Sequence, residues 1–191
     1  MKGLTPAEIE KVLKVASQSK RNHAMLLIAF RHGARASEVC DLLIKDVDMK
    51  AGKIIIRRKK GSLTTEQPIA DHAGKPLLAE RRVLKAWLEE REQWKDASPF
   101  VFCSQKGGKL SRVQFFRIFQ SIAEEAGLPA DRRHPHCLKH ALGFALVEAG
   151  VPVLEIKAAL GHRSVASSAI YAVASEEKVS RSVQSALITL F

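Results

Sequence analysis

One short stretch of this chain is patterned for a strand and most of the rest for helices, and that imbalance restricts the fold more than any other feature. Residues 53–58 read KIIIRR, a β-branched run after the turn pair Ala51-Gly52, and such runs favour a pleated, half-buried strand. Residues 59–62 supply a turn and 64–69 the return strand, which closes at Pro68 because proline brings no ladder donor. Elsewhere apolar residues recur at helical spacing. Thr5-Pro6-Ala7-Glu8 forms a capping box with proline at the first helical position, and Ile9, Val12, Leu13 and Ala16 follow it. Further helices are predicted at 22–30, broken at Gly33, at 35–43, at 77–94, and at 111–126 between the Ser111/Gln114 box and Gly127. Helices at 136–149, stopped by Gly150, at 153–160 and at 167–174 complete the series. No repeat, low-complexity segment or linker interrupts it. The expected fold class is mainly α with a small antiparallel β-sheet (α+β), in one domain over 1–191.

Charge narrows the partners. Thirty-one Lys and Arg stand against 20 Asp and Glu, a net charge of +11 with a pI near 9.8. So large an excess favours a polyanion, because neutralised phosphates release counterions. The sign alone does not separate DNA from RNA. The basic residues gather at element ends: Arg57, Arg58, Lys59 and Lys60 crown the hairpin, and Arg132 and Arg133 precede the 136–149 helix. Lys106, Lys109 and Arg112 flank the start of the 111–126 helix, where free N–H groups also attract phosphate. Three such clusters read as a footprint on a phosphate backbone. Cys40, Cys103 and Cys137 are scattered without paired spacing, which argues for a reducing compartment. The N-terminus has no apolar signal region, and the apolar run 24–30 is too short to cross a bilayer. A cytoplasmic protein with no membrane partner is expected.

The chemistry-bearing residues collect in the last third. Tyr171 is the only tyrosine and lies nine positions after His162 in LGHRSVASSAIY; HPHCLKH spans 134–140. A phenol near histidines and a lysine suits covalent catalysis, since a tyrosine oxygen becomes a nucleophile when its proton is removed and neighbouring charge is stabilised. A buried core tyrosine is the plain alternative. His136 and His140, four apart on a helix, also have the spacing of a metal pair, but no second Cys/His pair lies nearby to complete a zinc shell.

Four fragments in order, HGARASEVCDL, RRKKGSLTTEQPI, HPHCLKHALGFAL and LGHRSVASSAIY, carry a resemblance to the tyrosine recombinase (phage integrase) family. Within it the chain resembles the short fimbrial-switch DNA invertases of bacteria. The resemblance implies a tyrosine recombinase catalytic domain without the N-terminal domain that closes a clamp around DNA. It puts the first catalytic arginine at Arg35, the hairpin lysine at Lys60, the histidine and basic partner of the HxxR box at His136 and Lys139, the third stabiliser at His162 and the nucleophile at Tyr171. It implies attack of Tyr171 on a DNA phosphate, a 3′-phosphotyrosyl link and a free 5′-hydroxyl, with no metal, ATP or other cofactor. Lys139 departs from the pattern, which has arginine there. Arginine holds two oxygens with a planar fork, whereas lysine is a flexible point charge, so slower chemistry is expected.

The implied partners are double-stranded DNA and further copies of the chain, as a tetramer on paired sites in the bacterial nucleoid. Val179, Val183, Ala186, Leu187 and Leu190 form an apolar stripe in the tail, and in the family this element docks into a neighbouring protomer. Two other classes fit the same composition: a DNA-binding regulator without chemistry, and a nicking enzyme that shares the tyrosine but not strand exchange.

Overall fold

The computed structural model describes residues 3–59, 62–72, 74–94, 98–104 and 107–171. Lys60, Lys106, the end of the helix expected at 167–174, and the apolar stripe of the tail lie outside the described residues. Helix α1 (Pro6–Ala16) starts as its box requires: the Thr5 N–H donates to the Glu8 carboxylate at 2.9 Å and the Glu8 N–H donates to the Thr5 hydroxyl at 3.3 Å. Helix α2 (Lys20–Arg31) is the apolar centre of the molecule, with every residue from 24 to 29 buried. That explains why the run 24–30 looks continuous rather than amphipathic: α2 is covered on all sides, by α1, by α3 (Ala36–Cys40), by α4 (Glu80–Gln93) and by α6 (His136–Glu148).

The hairpin gains a third strand. β1 (Val47–Asp48), β2 (Lys53–Ile56) and β3 (Thr65–Pro68) form an antiparallel sheet in that order, with Ile54 opposite both Val47 and Gln67. Ile54 and Ile56 point into the core, as the period of two demands. Two residues of β1 are too few to show a pattern in sequence. β2 ends at Ile56 rather than 58, since Arg57 pairs with Asp46 and Arg58 turns inward. Likewise α4 begins at Glu80 rather than 77, because Pro76–Leu78 forms a 3₁₀ turn of its own. Trp87 anchors α4, fully buried and donating its indole N–H to the Val101 carbonyl at 3.0 Å.

Helices α5 (Arg112–Glu125), α7 (Val153–Leu160) and α8 (Ala166–Ala169) complete the described chain. Cys137, Leu138 and Ala141 join α6 to the large core around α2. Ile156, Leu160 and Tyr171 form a second, small cluster with Leu142 and Phe144 at its edge. A buried polar group ties the halves together: His32 Nε2 meets the Glu80 carboxylate at 2.5 Å, His32 Nδ1 meets Gln67 at 2.8 Å, and Gln67 donates to the Ala159 carbonyl of α7 at 2.9 Å. Among the described residues no helix is long and apolar enough to cross a membrane.

Candidate active site

Arg35 follows the turn that ends α2. Gly33 takes φ 53° there, and a Cβ on it would stand 2.5 Å from Leu160 Cδ2, so glycine is needed both for the turn and for the approach of α7. Behind Arg35 lies Glu38, whose side chain is fully buried. Its carboxylate accepts the Arg35 N–H at 2.9 Å, the Arg35 guanidinium at 2.8 Å and the Lys59 N–H at 3.1 Å. Burial alone would raise the Glu38 carboxyl, but the N–H groups of Arg35 and Lys59 and the two arginines hold it below its ordinary value. Glu38 therefore stays a carboxylate and fixes Arg35, which also donates to Ser62 Oγ at 3.2 Å.

On α6, His136, Lys139, His140 and Gly143 fall at i, i+3, i+4 and i+7, so they share one face. The rings of His136 and His140 meet edge to face at 4.5 Å. Lys139 is 2% exposed and donates from Nζ to the Leu160 carbonyl at 2.9 Å. Desolvation first, then the charges of Arg58 and Arg35, bring its ammonium down to about 7. Burial, followed by the charge of Lys139, lowers His136 from its ordinary value as well.

The third contribution comes from the end of α7. Gly161 caps it in the left-handed region at φ 63°, where a Cβ would lie 2.7 Å from the Leu63 carbonyl, and the Leu63 N–H donates to Gly161 O at 3.1 Å. The returning arm of the hairpin is thereby docked beside His162. His162 Nδ1 lies 2.9 Å from Ser168 Oγ, and its ring runs nearly parallel to that of Tyr171 at 6.4 Å. Tyr171 Oη lies 2.9 Å from His140 Nδ1. Burial pushes the Tyr171 phenol up to about 12 against an opposing pull from Arg35, and burial followed by the Lys139 and Arg35 charges brings His162 down to about 4. Arg35, His136, Lys139, His162 and Tyr171 are thus brought to one place by four separate segments. An open groove of about 660 Å³, lined by Arg35, Ser37, Arg112, Phe116, His134 and His136, leads to them.

The groove itself carries Arg35, Arg112, His134 and His136, a set of donors suited to a phosphate. Residues 2–178 match the phage integrase family. The chain belongs to that family. It is a tyrosine-type site-specific DNA recombinase, so chemistry accompanies DNA binding. It is 41% identical over 172 residues to the type 1 fimbriae regulatory protein FimB of Escherichia coli K12, covering 88% of this chain and 82% of FimB. It is 30% identical over 189 residues to the tyrosine recombinase XerA of Pyrococcus furiosus, covering 97% of this chain and 62% of XerA. Among solved structures, the fold matches a XerA recombinase with a TM-score of 0.79 at 23% identity, over 96% of this chain and 64% of that one. It also matches the XerH recombinase bound to difH, with a TM-score of 0.77 at 24% identity, over 96% and 54%.

The basic residues of this integrase-family chain divide more sharply than their sequence clusters suggest. Arg58 is a correction: its side chain is fully buried, not on a DNA-facing surface. It donates to the carbonyls of His32 at 2.7 Å, Gly33 at 2.9 Å and Ala159 at 3.1 Å, and pairs with Glu38 at 3.3 Å. The neighbouring Arg57 faces outward and pairs with Asp46, and Lys59 and Lys109 share Asp41. Arg112 lines the groove, whereas Arg132 holds Glu8 of α1 and Arg133 holds Glu124 of α5, at 2.7 and 2.6 Å. Three residues at the site take roles that sequence reasoning did not assign. His140 is the group on the Tyr171 hydroxyl, Gly143 makes room for its ring, and Glu38 orients Arg35. Only His140 left a signal, the four-residue spacing from His136, which also reads as a metal pair.

Proposed function

We propose that Tyr171 Oη attacks a DNA phosphorus, forming a 3′-phosphotyrosyl bond as the bond to the 5′-oxygen breaks. Lys60 protonates the departing 5′-oxygen, and His136 assists removal of the phenolic proton. Arg35, Lys139 and His162 stabilise the charge that develops on the non-bridging oxygens. A 5′-hydroxyl from a partner strand then reverses the step, displacing Tyr171 and exchanging strands. The observation that carries this reading is the stacking of His162 on the only tyrosine at 6.4 Å, with Lys139 bound to the carbonyl of nearby Leu160 and Arg35 held by Glu38. Double-stranded DNA lies along the groove of Arg35, Arg112 and His134, with Arg57, Lys59, Lys106 and Lys109 on neighbouring phosphates. The enzyme works in the bacterial cytoplasm on nucleoid DNA.

Four copies act on paired sites, each donating its 179–190 stripe to a neighbour. An apolar groove of about 670 Å³ among α1, α2 and α6, edged by Leu4, Ile9, Leu13, Phe30 and Phe144, supports an acceptor for that stripe.

The test uses a duplex selected from a random library by the protein itself and then nicked, so that a short flank diffuses away after cleavage. A covalent protein–DNA adduct should survive a denaturing gel and disappear in Tyr171→Phe. A wild-type protein that binds the duplex tightly and never forms the adduct overturns the assignment. Deleting 180–191 should leave single-site binding intact and abolish pairing of sites; recombination by the truncated protein overturns the donated tail.

A further inference from the structure

A histidine that stabilises negative charge must present an N–H to it, and a neutral imidazole has only one. Which nitrogen carries that proton is set by the hydrogen bond the other makes. In His162, Nδ1 lies 2.9 Å from Ser168 Oγ, while Nε2 has no hydrogen-bond partner among the described residues. Ser168 is 0% exposed, and among those residues the bond to His162 is the one hydrogen bond its hydroxyl makes. A buried O–H is almost always given an acceptor, and here the acceptor at hand is Nδ1. The hydroxyl proton therefore points to the ring, Nδ1 carries none, and the ring proton sits on Nε2. A doubly protonated ring would donate from Nδ1 and strand the serine proton in the interior. Burial, followed by the charges of Lys139 and Arg35, keeps the ring neutral in the same sense, at about 4.

The local chain is built around this bond. Ser164 Oγ accepts the Ala166 N–H at 3.2 Å, and the Ser168 N–H donates to the Val165 carbonyl at 2.8 Å, so a tight turn brings Ser168 back to His162. Its neighbour Ser167 is exposed. The Ser168 carbonyl accepts the Tyr171 N–H at 3.1 Å, so one residue holds His162 by its side chain and Tyr171 by its backbone.

We propose that Ser168 is a positioning residue for cleavage: its hydroxyl donates to His162 Nδ1 and fixes the ring as the Nε2–H tautomer, a neutral donor for the non-bridging oxygens of the phosphate. The proposal rests on His162 being a charge stabiliser. Without the hydroxyl the ring proton distributes between the two nitrogens. Whenever it sits on Nδ1, Nε2 offers the phosphate a lone pair in place of a donor.

The tautomer is read in the full-length protein without DNA, from long-range proton–nitrogen NMR correlations of the imidazole rings above their ordinary titration range. The His162 signals are those lost in His162→Gln. Wild type should show a protonated Nε2 and a bare Nδ1. Ser168→Ala should average the two nitrogens, and with selected nicked DNA it should slow adduct formation about tenfold at unchanged DNA affinity. Ser168→Thr, which keeps the hydroxyl, should restore both the spectrum and the rate. A wild-type ring protonated on Nδ1, or the same tautomer in Ser168→Ala, overturns the proposal. So does an alanine variant that changes tautomer and still cleaves at the wild-type rate, or a folded threonine variant that keeps the tautomer and stays slow. Should the threonine methyl unfold the chain, the alanine variant decides alone. Absence of any adduct in wild type would strike the nucleophile assignment, and the spectrum would still decide whether Ser168 sets the His162 proton.

Discussion

Around α2 the chain packs Leu13, Met25, Leu27, Trp87, Phe102 and Phe115 out of solvent, whereas α7 and α8 are held by Ile156, Leu160 and Tyr171 with a few half-buried neighbours. Leu154, Val165 and Ile170 on the smaller side remain exposed. Stabilisation from burial scales with apolar area, so the two regions should open at different free energies. The groups proposed for catalysis are divided accordingly. Arg35 is fixed at the start of α3, just after the turn that ends α2, and His136 and Lys139 ride on α6, which is rooted in the large core. Tyr171 and His162 belong to the small one. The groups proposed to stabilise charge have the larger core as their base, and the proposed nucleophile has the smaller one.

Arg58 joins the two regions, since it binds carbonyls at the end of α2 and on α7 together with the Glu38 carboxylate. Arg58→Ala leaves Glu38 buried with less compensation and should cost about 3–5 kcal/mol in urea unfolding. A loss below about 1 kcal/mol would mean the regions do not depend on this residue for their connection. Within each region the comparison predicts different signatures. Leu27→Ala should lower global stability by about 2–5 kcal/mol. Ile156→Ala should chiefly speed amide exchange in α7 and α8 while α2 stays protected; equal loss of protection in both would show one cooperative core.

Lys139 sits where the regions meet, and its value of about 7 gives the next effect. Its stabilising charge is present below that value and lost as pH rises through it, so kcat/KM, which reports the free enzyme, should fall above about pH 7. Lys139→Arg keeps its charge; it should remove this limb and speed cleavage about tenfold at about pH 8. Stability should move the opposite way in wild type. The unfolded lysine titrates at about 10.4, so between about 7 and 10 the unfolded chain binds the extra proton and stability rises with pH. A flat rate profile would show that lysine charge does not limit cleavage. The smallest effect belongs to the groove on the rigid side: Arg112→Ala should reduce the slope of log K against log salt by about 0.9, read by fluorescence anisotropy. An unchanged slope would remove Arg112 from the phosphate footprint.

Most elements were legible because their signals are local. The Thr5 and Ser111 boxes, the helix at 153–160 and the β-branched run need only nearby residues to specify them. β1 and the bridges Leu43–Phe100 and Cys103–Lys109 left no comparable trace, since each depends on a partner elsewhere in the chain. The motif residues were read through their resemblance to a family, and all of them except Lys60 lie among the described residues.

What tertiary structure alone decided is which of two identical neighbours faces inward and which of two similar rings touches Tyr171. Arg57 and Arg58 are indistinguishable in a run of four cations, yet Arg58 is buried because carbonyls 25, 26 and 101 residues away in sequence converge on its guanidinium. His136 and His140 share a helix face, and only the return of the chain through Gly161 and α8 brings the phenol to the second. Periodicity and capping act over a few residues and can be read in order; the pairing of a buried charge, or of a hydroxyl with one imidazole, requires groups that the chain separates and only packing reunites.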